Sequence, residues 1–439
     1  MKSWPSPLVD PLASLPADPS PGPIRVRDTA RGEVVELVLG RSVGMYVCGI
    51  TPYDATHMGH AATYVTFDLL GRVLRDAGRE LTYVQNVTDV DEPLLERANR
   101  DGIDWRDLAE REIQLFRDDM TALRVVPPEH CLGVVESMDV IEDAVLGLVD
   151  AEATYRLPVD DGDAGSEAAS EAADIYLDLT IRPDFGTVSG WSRREMMAVF
   201  ADRGGDPDRR GKRDPLDPLL WRAARKGEPS WSSDRLGAGR PGWHVECTAI
   251  AADRLGIPFE VQGGGSDLIF PHHEMSAVQA TALCRCPAFA QAYVHQAMVG
   301  LDGAKMSKSK GNLVLVSRLR EQGEDPMAIR LVLLGQRYRQ PWDWRAELLE
   351  AARERLSLWR RACHAEWSGA ADEDHAVVAT IRERLRDDLD SPGALAAVDD
   401  WARRVLTAPS VTSGPAARRH DALDRPVARA VDSLLGVRL

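Results

Sequence analysis

Apolar and polar positions along this chain fall into blocks that predict strands and helices in turn. Ile24-Arg-Val-Arg27 and Val34 to Leu39 alternate and predict short strands leading into a core. Met45 to Val47 is continuously apolar and predicts a buried strand. It breaks at Gly49 and Pro52, and helical spacing from Ala61 to Leu74 predicts a helix. Leu81 to Asp89 has an apolar, β-branched front and a polar end, which predicts a second buried strand. Residues 104–123 and Val134 to Val149 carry helical periodicity.

From about residue 125 the pattern changes. Asp160 to Asp174 is acidic and small and predicts a solvated loop; a short strand follows at Ile175 to Leu179, then the polar Ala201-Asp-Arg-Gly-Gly-Asp-Pro207. Sheet-like apolar runs resume near Leu219 and include Phe259 to Gln262. From Trp344 onward, Ala, Leu, Arg and Glu recur at helical spacing, interrupted near Ser391-Pro392 and Thr407 to Pro415. The chain divides into an arm (1–40), a sheet domain in two halves (41–125 and 213–312) around an insertion (126–212), a connecting piece (313–345) and a helical domain (346–439). The fold class is α/β, and there is no internal repeat.

Composition narrows the class. The chain has 439 residues, a net charge of −16 and six cysteines. It is long enough for about two or three domains, and no apolar run approaches the ~20 residues of a membrane span. The Pro- and Ser-rich start lacks the apolar core of a signal peptide. The acidic balance gives no overall attraction for nucleic acid. Six cysteines in so long a chain fit thiols or metal ligands in a cytosolic protein better than a disulfide framework.

Candidate chemistry sits in two places. His57-Met-Gly-His60 precedes the first long helix, where free N–H groups and the helix dipole favour an anion and two imidazoles can add contacts. Taken alone, they also read as helix-start histidines with no task. Of six lysines, three lie in Lys305-Met-Ser-Lys308-Ser-Lys310. This is a Gly/Ser/Lys loop suited to a pyrophosphate, or else a solvated charge run. Asn86-Val87-Thr88 falls at the predicted C-terminal strand edge, where open parallel sheets bind ligands, although turn chemistry explains it equally. Cys48, Cys247 and His272 border predicted strand edges. Two thiolates, an imidazole and one open position suit a working zinc ion, whereas cysteine is also a small buried hydrophobe. His244 and His273 are nearby alternatives; Cys284 and Cys286 are spaced too closely for the usual zinc pair.

The pairing of His57-Met-Gly-His60 with Lys305-Met-Ser-Lys-Ser309 resembles the catalytic core of class I aminoacyl-tRNA synthetases, over about 40–345. Tyr46-Val-Cys-Gly49, Asn86-Val-Thr-Asp-Val-Asp91, Gly242-Trp-His-Val-Glu-Cys247 and Gly263-Gly-Gly-Ser-Asp-Leu-Ile-Phe-Pro-His-His-Glu274 look like cysteinyl-tRNA synthetase. Three departures separate them. Ser276 stands where the synthetase has a ligand Glu, Asp91-Glu-Pro-Leu-Leu-Glu-Arg97 lacks the synthetase lysine, and the chain reaches Leu439 without an anticodon-binding domain. These departures, with Cys48 to Thr63 and Arg203-Gly-Gly-Asp-Pro207, resemble the cysteine:glucosaminyl-inositol ligase family of mycothiol biosynthesis, over nearly the whole chain.

That resemblance implies a Rossmann-like class I synthetase domain with an insertion and a small helical bundle. It implies ATP-dependent ligation of L-cysteine to the amine of glucosaminyl-inositol through a cysteinyl-adenylate, releasing AMP and pyrophosphate. It implies one Zn²⁺ on Cys48, Cys247 and His272, with the substrate thiol at the open position. It assigns the polyphosphate, with Mg²⁺, to His57, His60, Lys305 and Lys308. Adenylate contacts are expected from Cys48, Gly49, Ile50, Thr51, Thr63, Asn86, Val87, Thr88, Trp243, Gly265, Ser266, Asp267 and Val299. A cytoplasmic monomer without tRNA or membrane partners is expected; the alternative is a cysteinyl-tRNA synthetase lacking an anticodon-binding domain.

Overall fold

Five parallel strands form the central sheet in the computed structural model of this chain, in the order Ala290–Gln296, Phe259–Gly265, Ser42–Val47, Glu80–Val87, His130–Gly133. The structure describes residues 1–9, 15, 18, 22–53, 55–159, 172–306, 313–365, 371–408 and 425–439. Strands covered on both faces read as apolar runs, and Val43, Met45, Tyr46 and Val47 are all buried. The first half of the chain builds outward from Ser42–Val47 through Glu80–Val87 to His130–Gly133, and the second half adds strands on the other side. The order therefore reverses between Ser42–Val47 and Phe259–Gly265, and the crevice at the C-terminal ends of these two strands is where such sheets take ligands. The helix Met58–Asp76 leaves directly from that edge.

A second, antiparallel sheet has the order Thr154–Pro158, Ala173–Leu177, Leu219–Ala223, Gly239–Pro241. Sheet membership crosses the limits read from composition. His130–Gly133 lies past residue 126 yet pairs in the central sheet, and two strands past residue 212 pair in the second one. Composition marks solvent exposure, whereas sheet membership follows hydrogen bonds between distant segments. Ile141, Val145 and Leu148 share a core with Val245, Ala249 and Val278, which joins the helix Met138–Asp150 to Trp243–Leu255 and Glu274–Cys284.

The connecting piece holds the helices Val316–Glu321 and Pro326–Leu334, and its strand Trp342–Trp344 pairs with Val299–Leu301. Helices Ala346–His364, Ala371–Arg386, Ser391–Thr407 and Pro426–Leu435 follow. The break read at Ser391-Pro392 is a helix start. Asp390 accepts from Gly393 N, and Pro392 occupies the first turn, where a missing N–H costs nothing. Trp359, Trp401 and Val431 belong to the same core as Phe67 and Leu70 of Met58–Asp76, so the bundle is packed onto the sheet domain. Behind this contact lies a buried ionic cluster. Asp68 accepts from Arg72 Nε and Val126 N, each at 2.8 Å, and from Arg330. Arg330 also donates to Leu435 O and Leu123 O, both at 2.7 Å.

Lys308, most of the acidic stretch Asp160 to Asp174 and most of the break Thr407 to Pro415 lie outside the described residues. Among the described residues, no helix is long and apolar enough to cross a membrane.

Candidate active site

The strand Ser42–Val47 ends at Cys48 and Gly49, on the crevice. Gly49 N donates to Asn86 Oδ1 at 2.8 Å, Asn86 Nδ2 donates to Thr88 Oγ1 at 3.1 Å, and Thr88 N donates to Ile50 O at 2.9 Å. These bonds lace 48–51 to 86–88. The approach is so close that a Cβ on Gly49 would fall 1.6 Å from Asn86 O, which only glycine permits.

His57 is the N-cap of Met58–Asp76. Its Nδ1 accepts from Gly59 N at 3.0 Å, so the ring N–H of its neutral form is on Nε2. His60 stacks on it with ring centroids 3.9 Å apart. Thr63, one turn on, donates to Gly59 O. Ala304–Lys305 pairs with Gly300–Leu301, and the chain beyond the lysine loop returns beside His57, with Met58 N donating to Val314 O and Val316 N to Thr56 O.

Across the crevice, Phe259–Gly265 ends in Ser266 and Asp267. A Cβ built on Gly265 would lie 2.6 Å from Asp267 Oδ1 and 4.0 Å from Thr63 Oγ1, so helix and strand end converge. Val299 opens the strand Val299–Leu301 and is buried. The candidates from Cys48 through Thr51, Thr63, Asn86 through Thr88, Gly265 through Asp267, His57 and His60 thus share one edge of one sheet.

Ligand atoms of Cys48, Cys247 and His272 lie within 4.8 Å of one another, and all three residues are buried. Cys247 is in the first turns of Trp243–Leu255, and His272 precedes Glu274–Cys284. Two sulfurs and a nitrogen at this separation suit the ~2.0–2.3 Å bonds of a tetrahedral zinc ion. Burial opposes charge on both sulfurs. At Cys247 the hydrogen bond with Cys48 and the His272 charge outweigh it, holding the thiol well below its ordinary range, whereas burial and Cys247 push Cys48 well above. Ser276 Oγ donates to His244 O at 3.4 Å. Trp243 stands beside the cluster, its ring 4.6 Å from that of His272.

His273 is a ligand alternative in the sequence, whereas Gln262 and His295 carry no local sequence signal. Cys48 Sγ contacts His273 Nε2 at 3.2 Å, and Gln262 Nε2 reaches the same sulfur at 3.5 Å. His273 Nδ1 contacts His295 Nε2, and His295 Nδ1 contacts Thr29 Oγ1. Burial holds His244 and His273 well below the usual imidazole range and brings His295 down to about 3, so these rings are neutral. Glu274 accepts from Gly186 N, Val188 N and Ser189 N at 2.8, 3.1 and 2.7 Å, which pins a loop of the second sheet region beside the histidine pair. The acidic residue of His-His-Glu is thus a clamp. His295 sits inside an apolar strand, where a lone histidine reads as ordinary core.

The family described as tRNA synthetases class I (C) catalytic domain matches residues 34–354. The L-cysteine:1D-myo-inositol 2-amino-2-deoxy-alpha-D-glucopyranoside ligase of Kytococcus sedentarius is 58% identical over 448 residues, covering 100% of both chains. The protein of the same description from Nocardia farcinica is 54% identical over 441 residues, again covering 100% of both. Among solved structures, Mycobacterium tuberculosis methionyl-tRNA synthetase in complex with methionyl-adenylate superposes with a TM-score of 0.60 at 16% identity, covering 90% of each chain, a likeness of fold alone.

Proposed function

The chain belongs to the L-cysteine:1D-myo-inositol 2-amino-2-deoxy-alpha-D-glucopyranoside ligases, built on the class I synthetase catalytic domain, and from that premise we propose how its residues divide the work. The enzyme is an ATP-dependent, AMP-forming carbon–nitrogen ligase of mycothiol biosynthesis. In the first step a carboxylate oxygen of L-cysteine attacks the α-phosphorus of ATP and pyrophosphate leaves. In the second, the sugar amine attacks the carbonyl of cysteinyl-adenylate, loses a proton and expels AMP.

The observation that carries this reading is the convergence of Cys48, Cys247 and His272 on the crevice that also holds the His57 helix start. Cys48, Cys247 and His272 hold one Zn²⁺, which supplies a soft site that takes thiolate in preference to a hydroxyl and so separates cysteine from serine. Adenylate lies along the edge, between Cys48–Thr51, Thr63 and Asn86–Thr88 on one side and Trp243, Gly265–Asp267 and Val299 on the other. The polyphosphate, carried with Mg²⁺, meets the N-terminus of Met58–Asp76, the Nε2–H of His57, His60, Lys305 and Lys308. Fixed donors and charges placed before the reaction lower the barrier without reorganising during it.

The acceptor in this reading is the amino sugar and not tRNA, and the enzyme is a cytoplasmic monomer. The −16 charge and the confinement of half the lysines to one loop support a small acceptor. The test offers cysteine and ATP with either the amino sugar or cysteine tRNA. An amide and stoichiometric AMP with the sugar alone is the expected result. Charged tRNA without any amide would restore the synthetase alternative.

A further inference from the structure

Arg203-Gly-Gly-Asp-Pro207 is given no role in the activation chemistry above, yet the fold brings it against the active-site edge. Arg203 Nη1 donates to Asp267 O at 2.8 Å and also to Phe270 O, so the motif is bonded to the segment between the sheet edge and His272. The Arg203 guanidinium lies 5.6 Å above the Trp191 ring. Gly204 has φ +83, and a Cβ built on it would lie 4.0 Å from Trp243 Cε3. Gly205 rests on the Phe200 ring, where a Cβ would fall 2.4 Å from Cδ1.

The turn is rigidly built. Gly205 N donates to Phe200 O at 2.8 Å, and Tyr176 donates to Asp206. Lys212, with a side chain 2% exposed, donates to Asp206 Oδ1 and Pro215 O, both at 2.8 Å. A buried lysine and a buried tyrosine spent on one aspartate hold Gly204 in place, and Gly204 itself is exposed. Strong anchoring of an exposed, side-chain-free residue beside a half-buried aromatic fits a surface for binding, since fold stability alone does not call for it.

We propose that the Arg203–Asp206 turn and the Trp243 ring form the wall of the acceptor subsite, which takes a neutral polyol amine, the amino sugar of the reaction. This rests on the functional reading above. The reasoning is positional. Trp243 separates the turn from the metal ligand His272, and Arg203 fixes the turn to Asp267, at the adenylate edge. A nucleophile heading for the adenylate carbonyl from the side of the second sheet meets both the turn and the ring. Gly204 leaves the Trp243 ring uncovered for the C–H face of a sugar, and the peptide groups of the turn are available to hydroxyls, the mix of an aromatic wall and few polar groups that small-molecule sites use.

The test is Gly204→Asn, because Asn tolerates the left-handed backbone and places a side chain toward Trp243. Gly227→Asn, at another positive φ (+84) with nothing within 4 Å, serves as the control. Two rates are measured on the full chain: cysteine-dependent ATP–pyrophosphate exchange, and amide formation against amino-sugar concentration. The expected result is a rise of about tenfold or more in the acceptor KM, with exchange changed by less than about threefold. If Gly204→Asn does not fold, Gly204→Asp, which also tolerates this backbone, is read in the same way. An unchanged acceptor KM overturns the proposal, and so does an equal loss of exchange, which would put the turn in cysteine activation. Failure of the wild-type chain to form any amide would instead overturn the functional reading itself.

Discussion

Cys48 Sγ lies 3.2 Å from His273 Nε2, and the contact continues inward. His273 Nδ1 is 2.7 Å from His295 Nε2, and His295 Nδ1 is 2.6 Å from Thr29 Oγ1. A neutral imidazole has one N–H and one acceptor nitrogen. Gln262 Nε2, an amide donor, also lies 3.1 Å from His273 Nε2, so that nitrogen accepts; the His273 N–H is on Nδ1 and donates to His295 Nε2, and His295 Nδ1 donates to Thr29 Oγ1. Such partners orient ligands and tune metal affinity. His273→Ala is therefore expected to weaken zinc binding by about 10–100-fold, measured by competition with a chromogenic chelator. Wild-type affinity would show that the relay is only packing.

Removing a ligand has a larger effect. Cys247→Ala leaves two protein ligands and is expected to bind no stoichiometric zinc. Elemental analysis of the purified variant decides it, and unchanged zinc content would refute the ligand set. In the wild type, serine is expected to drive pyrophosphate exchange far more slowly than cysteine.

His60→Ala addresses the phosphate end. Loss of one contact to developing charge typically removes ~2–4 kcal/mol of transition-state stabilisation. Exchange at saturating cysteine is expected to fall accordingly, with cysteine affinity near wild type. A raised cysteine KM at unchanged maximal exchange would move His60 to the amino-acid end.

The buried His295 gives a pH dependence of stability. Its value is about 3 when folded, against 6.5 ordinarily. Between these values the unfolded chain binds the extra proton, so this contribution is fully present above pH 6.5 and is lost as pH falls toward 3. The slope is at most ~1.4 kcal/mol per pH unit. His295→Gln is expected to flatten the wild-type dependence between pH 7 and 5 by up to one proton, read from urea midpoints at each pH. Identical slopes would mean that the ring does not stay neutral in the folded protein.

Asp68 anchors the bundle to the catalytic domain. Burial opposes its charge, but Arg72 and Arg330 outweigh this and hold the carboxyl below its ordinary range. Asp68→Asn leaves both guanidiniums buried without their counter-charge and is expected to cost about 3–5 kcal/mol. Urea unfolding measures the loss. Faster hydrogen exchange in Pro426–Leu435 would identify the contact that loosens.

The sequence by itself determined the local elements and the chemistry they deliver. The apolar run Met45–Val47 becomes part of a central strand, the spacing Ala61–Leu74 becomes most of a helix, and His57 caps that helix, because periodicity and capping act within a few residues. Tertiary structure alone decided which strands pair, so that residues 130–133 join one sheet and 219–223 another. It alone decided that Cys48 meets His273, that Glu274 grips 186–189, that Arg203 reaches Asp267, and that Asp68 meets Arg330 across 262 positions. These are contacts between side chains and backbone groups far apart in the chain. Nothing in the local pattern specifies a partner for a buried charge or ring; the partner is fixed only when packing excludes water and leaves one group within reach.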